Sequence, residues 1–208
     1  MLALFLLVAS THFAALLSPG PDFFLLLRAG LVRGLRHADG VAAGIALANL
    51  LSMVLVLLAL SLLPALEGPG WKLLQLAGGG YFIWIGVQAL LATRELELPQ
   101  AEAGECGSWR LGFYEGLLAS SLNPKLPIFY AGLFGVLRNA AMPGWGLVMS
   151  MGWMTAVVLF WDMALVRLLG HPRWRGWLQM RVRALDRLCG ALLLALGGWL
   201  AAGVILGL

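Results

Sequence analysis

The chain is 208 residues long, 61% apolar and only 12% charged, which excludes an ordinary water-soluble domain, where about a quarter of residues carry charge. One bilayer crossing takes roughly 20 apolar residues, and six such stretches leave little sequence for anything outside a membrane. The net charge of +4 is spread in short blocks between apolar runs, where it sets orientation and makes no nucleic-acid surface.

The apolar runs fall at 2–27, 41–63, 71–92, 111–137, 144–169 and 188–208. The first has no basic residue before Arg28 and reads as a retained membrane helix, not a cleaved leader. Of the 14 Lys and Arg residues, 11 lie in the connections between runs one and two, three and four, and five and six; the other two connections carry Lys72 and Arg138 alone. The positive-inside rule therefore predicts that the three basic connections are cytoplasmic and both termini are not. Trp71, Trp109, Trp145, Trp174 and Trp177 stand at run ends, as interface anchors do.

A polar stretch at the middle of the chain, 93–110, reads as a cytoplasmic linker between repeat one (1–92) and repeat two (111–208). Ser18-Pro19-Gly20-Pro21-Asp22 interrupts the first run and Asn123-Pro124-Lys125 the fourth. Aligning Pro21 with Pro124 gives an offset of 103, about half the chain, and the glycine-rich third and sixth runs match at an offset of 112. An odd number of crossings per half inserts the halves in opposite senses, the plan of many secondary transporters. The expected fold is all-α and polytopic: one transmembrane domain, 1–208, of six helices in two inverted three-helix repeats, with the first and fourth helices broken.

Proline within a helix removes a backbone hydrogen bond and costs about 3 kcal/mol or more, and in lipid the freed groups need protein or water. Asn123 is a favoured N-cap and Pro124 a favoured first helical residue, so a half-helix is expected to restart there, and another at Ser18–Pro19. Each start presents unpaired N–H groups and a positive dipole end. Asp22 and Lys125 directly follow the aligned prolines. Asp22 suits a helix start electrostatically, but Lys125 opposes the dipole, and an ionisable group inside a membrane segment costs at least ~2.5 kcal/mol without a partner. Together these parts fit a zwitterion. Its carboxylate would sit on Lys125 and the Asn123–Pro124 helix start, its ammonium on Asp22 and carbonyls near Ser18 and Gly20.

Other polar positions leave alternatives open. Asp162 is a proton relay or an interfacial acid paired with an arginine; His12 titrates or serves as a hydrogen-bonded packing residue; Asn49 and Ser52 line the cavity or bond between helices. Tyr130 and Glu115 are equally open. The Gly78–Gly80 and Gly197–Gly198 clusters permit close helix approach, and small-residue faces permit a homodimer. Cys106 and Cys189 make neither a metal spacing nor a disulfide, and no catalytic set is visible, so no metal, cofactor or enzymatic activity is expected.

Ser18-Pro-Gly-Pro-Asp-Phe-Phe24, Arg33-Gly34, Gly44-Ile45-Ala46, Gly80-Tyr81 through Ile85-Gly86, Gly116-Leu117-Leu118 to Leu122-Asn-Pro-Lys125, and Asp186-Arg187 to Gly190 resemble the LysE/RhtB family of amino-acid exporters, in order and over nearly the whole chain. The resemblance implies six helices in the inner membrane and export of a neutral amino acid, threonine- or homoserine-like, or of a homoserine lactone-like compound, coupled to proton influx. Many relatives carry a second acid in the second helix, where this chain has Ala48-Asn49, so coupling falls on Asp22, on Asp162 or on neither. A passive channel, or a membrane assembly subunit that transports nothing, is the alternative.

Overall fold

The computed structural model of the chain describes residues 2–17, 20–62, 69–91, 107–123, 125–169 and 171–206. These residues are helical apart from short turns, with no strand among them. In chain order the helices are α1 (Leu2–Leu17), α2 (Pro21–Arg28) with a π-helical turn at Ala29–Arg33, α3 (Leu35–Leu62), α4 (Pro69–Leu91), α5 (Trp109–Ser121), α6 (Lys125–Asn139), α7 (Gly144–Leu169) and α8 (Pro172–Leu206). Gly34, at φ 85°, lies in a backbone region that favours glycine and lets the chain turn from the π-helical stretch into α3.

Both interrupted runs are split in two, as their prolines demand. Leu4–Leu17 and Pro21–Arg33 are bent by 57° across the first break; Ser18 and Pro19 lie outside the described residues. The second helix starts with Gly20 as N-cap and Pro21 at its first turn, which moves the expected restart two residues on from Ser18–Pro19. Across the second break α5 ends at Ser121 and α6 begins at Lys125, with Pro124 outside the described residues.

Three helices are long and apolar enough to cross a bilayer, Leu35–Ser61, Gly144–Leu168 and Arg183–Ile205, and the bent first pair makes a fourth. Leu76–Leu91 is apolar but shorter. The halves of the fourth run, α5 of 13 residues and α6 of 15, reach only about 20 Å each at 1.5 Å per residue, too short to cross alone. Up to four crossings are therefore explicit among the described residues, against the six expected.

The basic stretch before the last run was expected as a loop and is helix. α8 runs for 35 residues from Pro172, about 52 Å against a hydrocarbon core of about 30 Å, so Arg173 and Arg181 precede its membrane-length part, which begins at Arg183. Similarly, the Ser108 hydroxyl accepts from the Leu111 N–H at 3.2 Å and caps α5, which places Arg110 in a helix and not in the linker.

Glycine decides which helices touch. On α3 and α5 a Cβ added to Gly40 or Gly44 would strike the Trp109 or Phe113 carbonyl, and one added to Gly112 or Gly116 would strike the His37 or Val41 carbonyl. The two backbones thus lie against each other over two turns. On α4 and α8, Gly86 opposes Gly190 and Gly79 opposes Gly197; one number rises by seven as the other falls by seven, so these helices run antiparallel. Gly78 of α4 meets Gly132 of α6 in the same way.

Two apolar cores flank α3. One gathers Leu26, Ala38, Val41, Ile45, Val158 and Val166, the other Val8, Met53, Phe82, Tyr130, Phe134 and Met154. Along α3 the first core ends at Ala46 and the second begins at Met53, and the buried Asn49 lies between them. The membrane interior supplies no water to polar groups left at such a seam, so they must satisfy one another.

Candidate substrate cavity

A polar cavity opens at that seam. It offers about 80 Å³ to the centres of water-sized spheres, against roughly 10–15 Å³ for a single water, so it admits a small molecule several heavy atoms across. Gly20, Asp22, Asn49, Asn123, Lys125 and Asp162, six of the residues singled out from sequence, line it. The apolar wall comes from Leu16, Phe23, Ile45, Leu126, Phe129 and Val158.

The two helix breaks brace each other across this space. Asp22 lies in the first turn of α2, where a carboxylate complements the dipole. Its Oδ2 accepts from the Ser120 hydroxyl at 2.9 Å and its Oδ1 from Asn123 Nδ2 at 3.4 Å, both donors belonging to the second break. In return the Lys125 ammonium donates to the Ala15 carbonyl at 3.2 Å. Ala15 is in the last turn of α1, where carbonyls lack helical partners and a cation is favoured. Lys125 opposes the dipole of its own helix and is compensated by the negative end of another.

Asn123 is locked in orientation. Its Oδ1 accepts the Lys125 backbone N–H at 3.0 Å, the expected capping bond, so its amide nitrogen must be the group turned to Asp22. Asn49 is fixed in the same manner: Nδ2 donates to the Ile45 carbonyl at 2.9 Å and Oδ1 accepts from the Tyr130 hydroxyl at 2.7 Å.

Asp162 is buried in the cavity wall. The arginine nearest in sequence, Arg167, instead makes a two-pronged pair with Asp39 at 2.7 and 2.9 Å. Glu115 is away from the cavity lining and bonds Arg33 at 3.3 Å and His37 at 2.9 Å, tying the middle of α5 to the start of α3 and the turn before it. The Ser52 hydroxyl is buried without a hydrogen-bond partner and does not line the cavity.

A family model described as "LysE type translocator" matches residues 13–203. The chain belongs to the LysE translocator family. The match spans both helix breaks and every charged residue of the cavity, and it makes the chain a membrane translocator and not an enzyme. The threonine efflux protein of Escherichia coli K12 is 30% identical over 95% of this chain and 97% of its own length. The chemotactic transduction protein ChpE of Pseudomonas aeruginosa is 32% identical over 98% of this chain and 100% of its own, and the uncharacterised membrane protein YahN of Escherichia coli is 23% identical over 85% and 79%. No solved structure matches the chain.

Within this LysE-family chain, sequence reasoning missed Ser120 altogether. A serine three positions before Asn123 returns to the same helix face, a signal that was available. Tyr130 and His12, left open from sequence, both reach the cavity, and so does Trp161, which was not singled out. Pro21 starts α2 but is exposed and outside the lining.

Proposed function

We propose that this protein exports a small neutral amino acid, threonine- or homoserine-like, across the inner membrane in exchange for protons. The observation that carries the reading is the joint presence of Asp22 and Lys125, one from each helix break, in the lining of one cavity of amino-acid size. A bound zwitterion places its carboxylate by Lys125 and the N–H groups at the start of α6, and its ammonium by Asp22 and carbonyls near Gly20, with Asn49 and Asn123 completing the polar surface. The 30% identity to a protein named for threonine efflux favours that substrate class. The 32% identity to a protein named for chemotactic transduction leaves the choice to the cavity.

The six-crossing, inverted-repeat architecture belongs to the same proposal. Antiparallel α4 and α8 and the reciprocal bracing of the two breaks favour it, because opposed insertion of the halves makes matching helices antiparallel. The basic connections then lie in the cytoplasm and both termini outside it. Asp22 and Asp162 are the proton-carrying candidates. Purified protein in liposomes, challenged with labelled amino acids, tests the reading: an inward pH gradient accelerates export of the substrate, and flux that neither saturates nor responds to the gradient overturns it in favour of a passive channel.

A further inference from the structure

Asp22 and Asp162 line the same cavity and repel one another, yet the fold equips them differently. A helix start, the Ser120 hydroxyl and the Asn123 amide all converge on Asp22, the partners that an ionised carboxylate needs. Asp162, within α7, makes no hydrogen bond or ion pair with any described residue. The nearest cation on its own helix, Arg167, is taken by Asp39. Neither Asp162 oxygen is among the fully enclosed side-chain atoms that lack a bond, so both keep surface open to a water-sized molecule, and Asp162 lines the cavity. The remaining titratable groups of the lining are Lys125, bonded to the Ala15 carbonyl, and His12 and Tyr130, in contact with each other.

With both acids ionised, Lys125 balances only one of them. A carboxylate left over inside a membrane protein, with no donor to hold it, needs a positive partner, and a proton or a substrate ammonium can serve. We infer that Asp162, not Asp22, carries the proton of the exchange, and that this proton and the substrate ammonium exclude each other. This rests on the export reading and adds how the two fluxes are coupled. The substrate carboxylate occupies Lys125, so the ammonium faces both acids; of its three N–H donors, the open sites of Asp22 take two and Asp162 takes the third. A protonated Asp162 has no charge to offer it. With the cavity open to the cytoplasm, the amino acid enters and Asp162 releases its proton to water there. With the cavity open outside, a proton from water returns to Asp162 and the amino acid leaves. Only the Asp162 O–H bond is broken and remade. The coupling is reciprocal, typically about 5- to 150-fold: the ammonium weakens the hold on the proton by the factor by which the proton weakens the hold on the substrate.

The test is the half-saturation concentration for threonine in proteoliposome counterflow, measured over a range of pH held equal on both sides. In wild type it is expected to rise by about 5- to 150-fold from alkaline to acidic pH, as protons fill Asp162. Asp162→Asn has no proton to exchange and is expected to give a flat profile and no stimulation by an inward pH gradient, while Asp162→Glu keeps the slope. A purely structural Asp162 would alter rates in these variants without flattening the profile. A slope retained in Asp162→Asn overturns the inference, and its loss in Asp22→Asn instead would make Asp22 the carrier. Should the Asp162 variants fail to fold, wild type decides: threonine added to purified protein in weakly buffered, mildly acidic detergent solution releases up to about one proton per bound molecule, read with an indicator dye. Binding without release overturns the inference. If wild type exports an amino acid with no dependence on pH, the role of Asp162 falls while export stands; if it exports none of a panel of labelled amino acids, both fall.

Discussion

Asp22→Asn is the change whose outcome the cavity geometry specifies most fully. The Asp22 carboxylate has about four lone-pair sites, of which Ser120 and Asn123 occupy one each, so two remain for a substrate ammonium. An asparagine at this position keeps one oxygen, which stays with Ser120 at 2.9 Å. Its new amide nitrogen then faces Asn123 Nδ2, and Asn123 cannot turn over because its own oxygen holds the Lys125 N–H. The substitution thus loses the negative charge, opposes two donors, and offers the ammonium at most a neutral acceptor. A hydrogen bond to a charged group contributes about 1.5–3 kcal/mol, and about 1.4 kcal/mol is tenfold in affinity. Asp22→Asn is expected to raise the half-saturation concentration for export about 10- to 150-fold. Ser120→Ala, which leaves the charge and removes one supporting bond, is expected to raise it by about tenfold or less. Counterflow kinetics in proteoliposomes measure both, with elution profile in detergent as the check on folding. A folded Asp22→Asn protein that exports within twofold of wild type would falsify the placement of the ammonium.

Lys125→Met keeps the stem and removes the charge, and is expected to weaken substrate binding by about the same factor as Asp22→Asn, read by the same counterflow assay; an unchanged half-saturation would exclude a carboxylate at Lys125. Gly116→Leu forces a side chain into the Val41 carbonyl and should cost at least about 1–3 kcal/mol of overpacking, seen as a lower melting temperature in detergent, whereas leucine at Gly152, which has open space, should leave it nearly unchanged. Asp39→Ala breaks the pair with Arg167, whose side chain is half-exposed, and by the usual worth of surface pairs should shift stability by less than about 1 kcal/mol; a larger loss in thermal unfolding would mean that the pair clamps α3 to α7.

The breaks in the first and fourth runs were legible because proline and its neighbours announce helix starts locally, and Lys125 was legible because a cation in the first turn of a membrane helix demands a partner from elsewhere. The identity of that partner was not legible. Ala15 lies 110 residues away and offers only a backbone carbonyl, which no residue type advertises. Ser120 escaped for a related reason: a serine in an apolar helix commonly bonds to its own preceding turn, as Ser150 does with Gly146 at 2.8 Å, and only the fold turns Ser120 to Asp22. The helical start of α8 was hidden because Arg and Trp were read as loop and interface markers, although arginine is a good helix former. The tight faces were half-visible. Glycine clusters signalled close approach, but the pairing of Gly44 and Gly116 joins the second run to the fourth, a contact between halves that periodicity cannot specify.

The measurement that bears most directly on the two-ended grip is competition in proteoliposomes by blocked forms of the substrate. N-acetylthreonine lacks the ammonium and threonine methyl ester lacks the carboxylate. The account predicts that each competes at least about tenfold more weakly than threonine in wild type, that Asp22→Asn narrows the gap for the acetylated form, and that Lys125→Met narrows it for the ester. Equal competition by threonine and both blocked forms would contradict it.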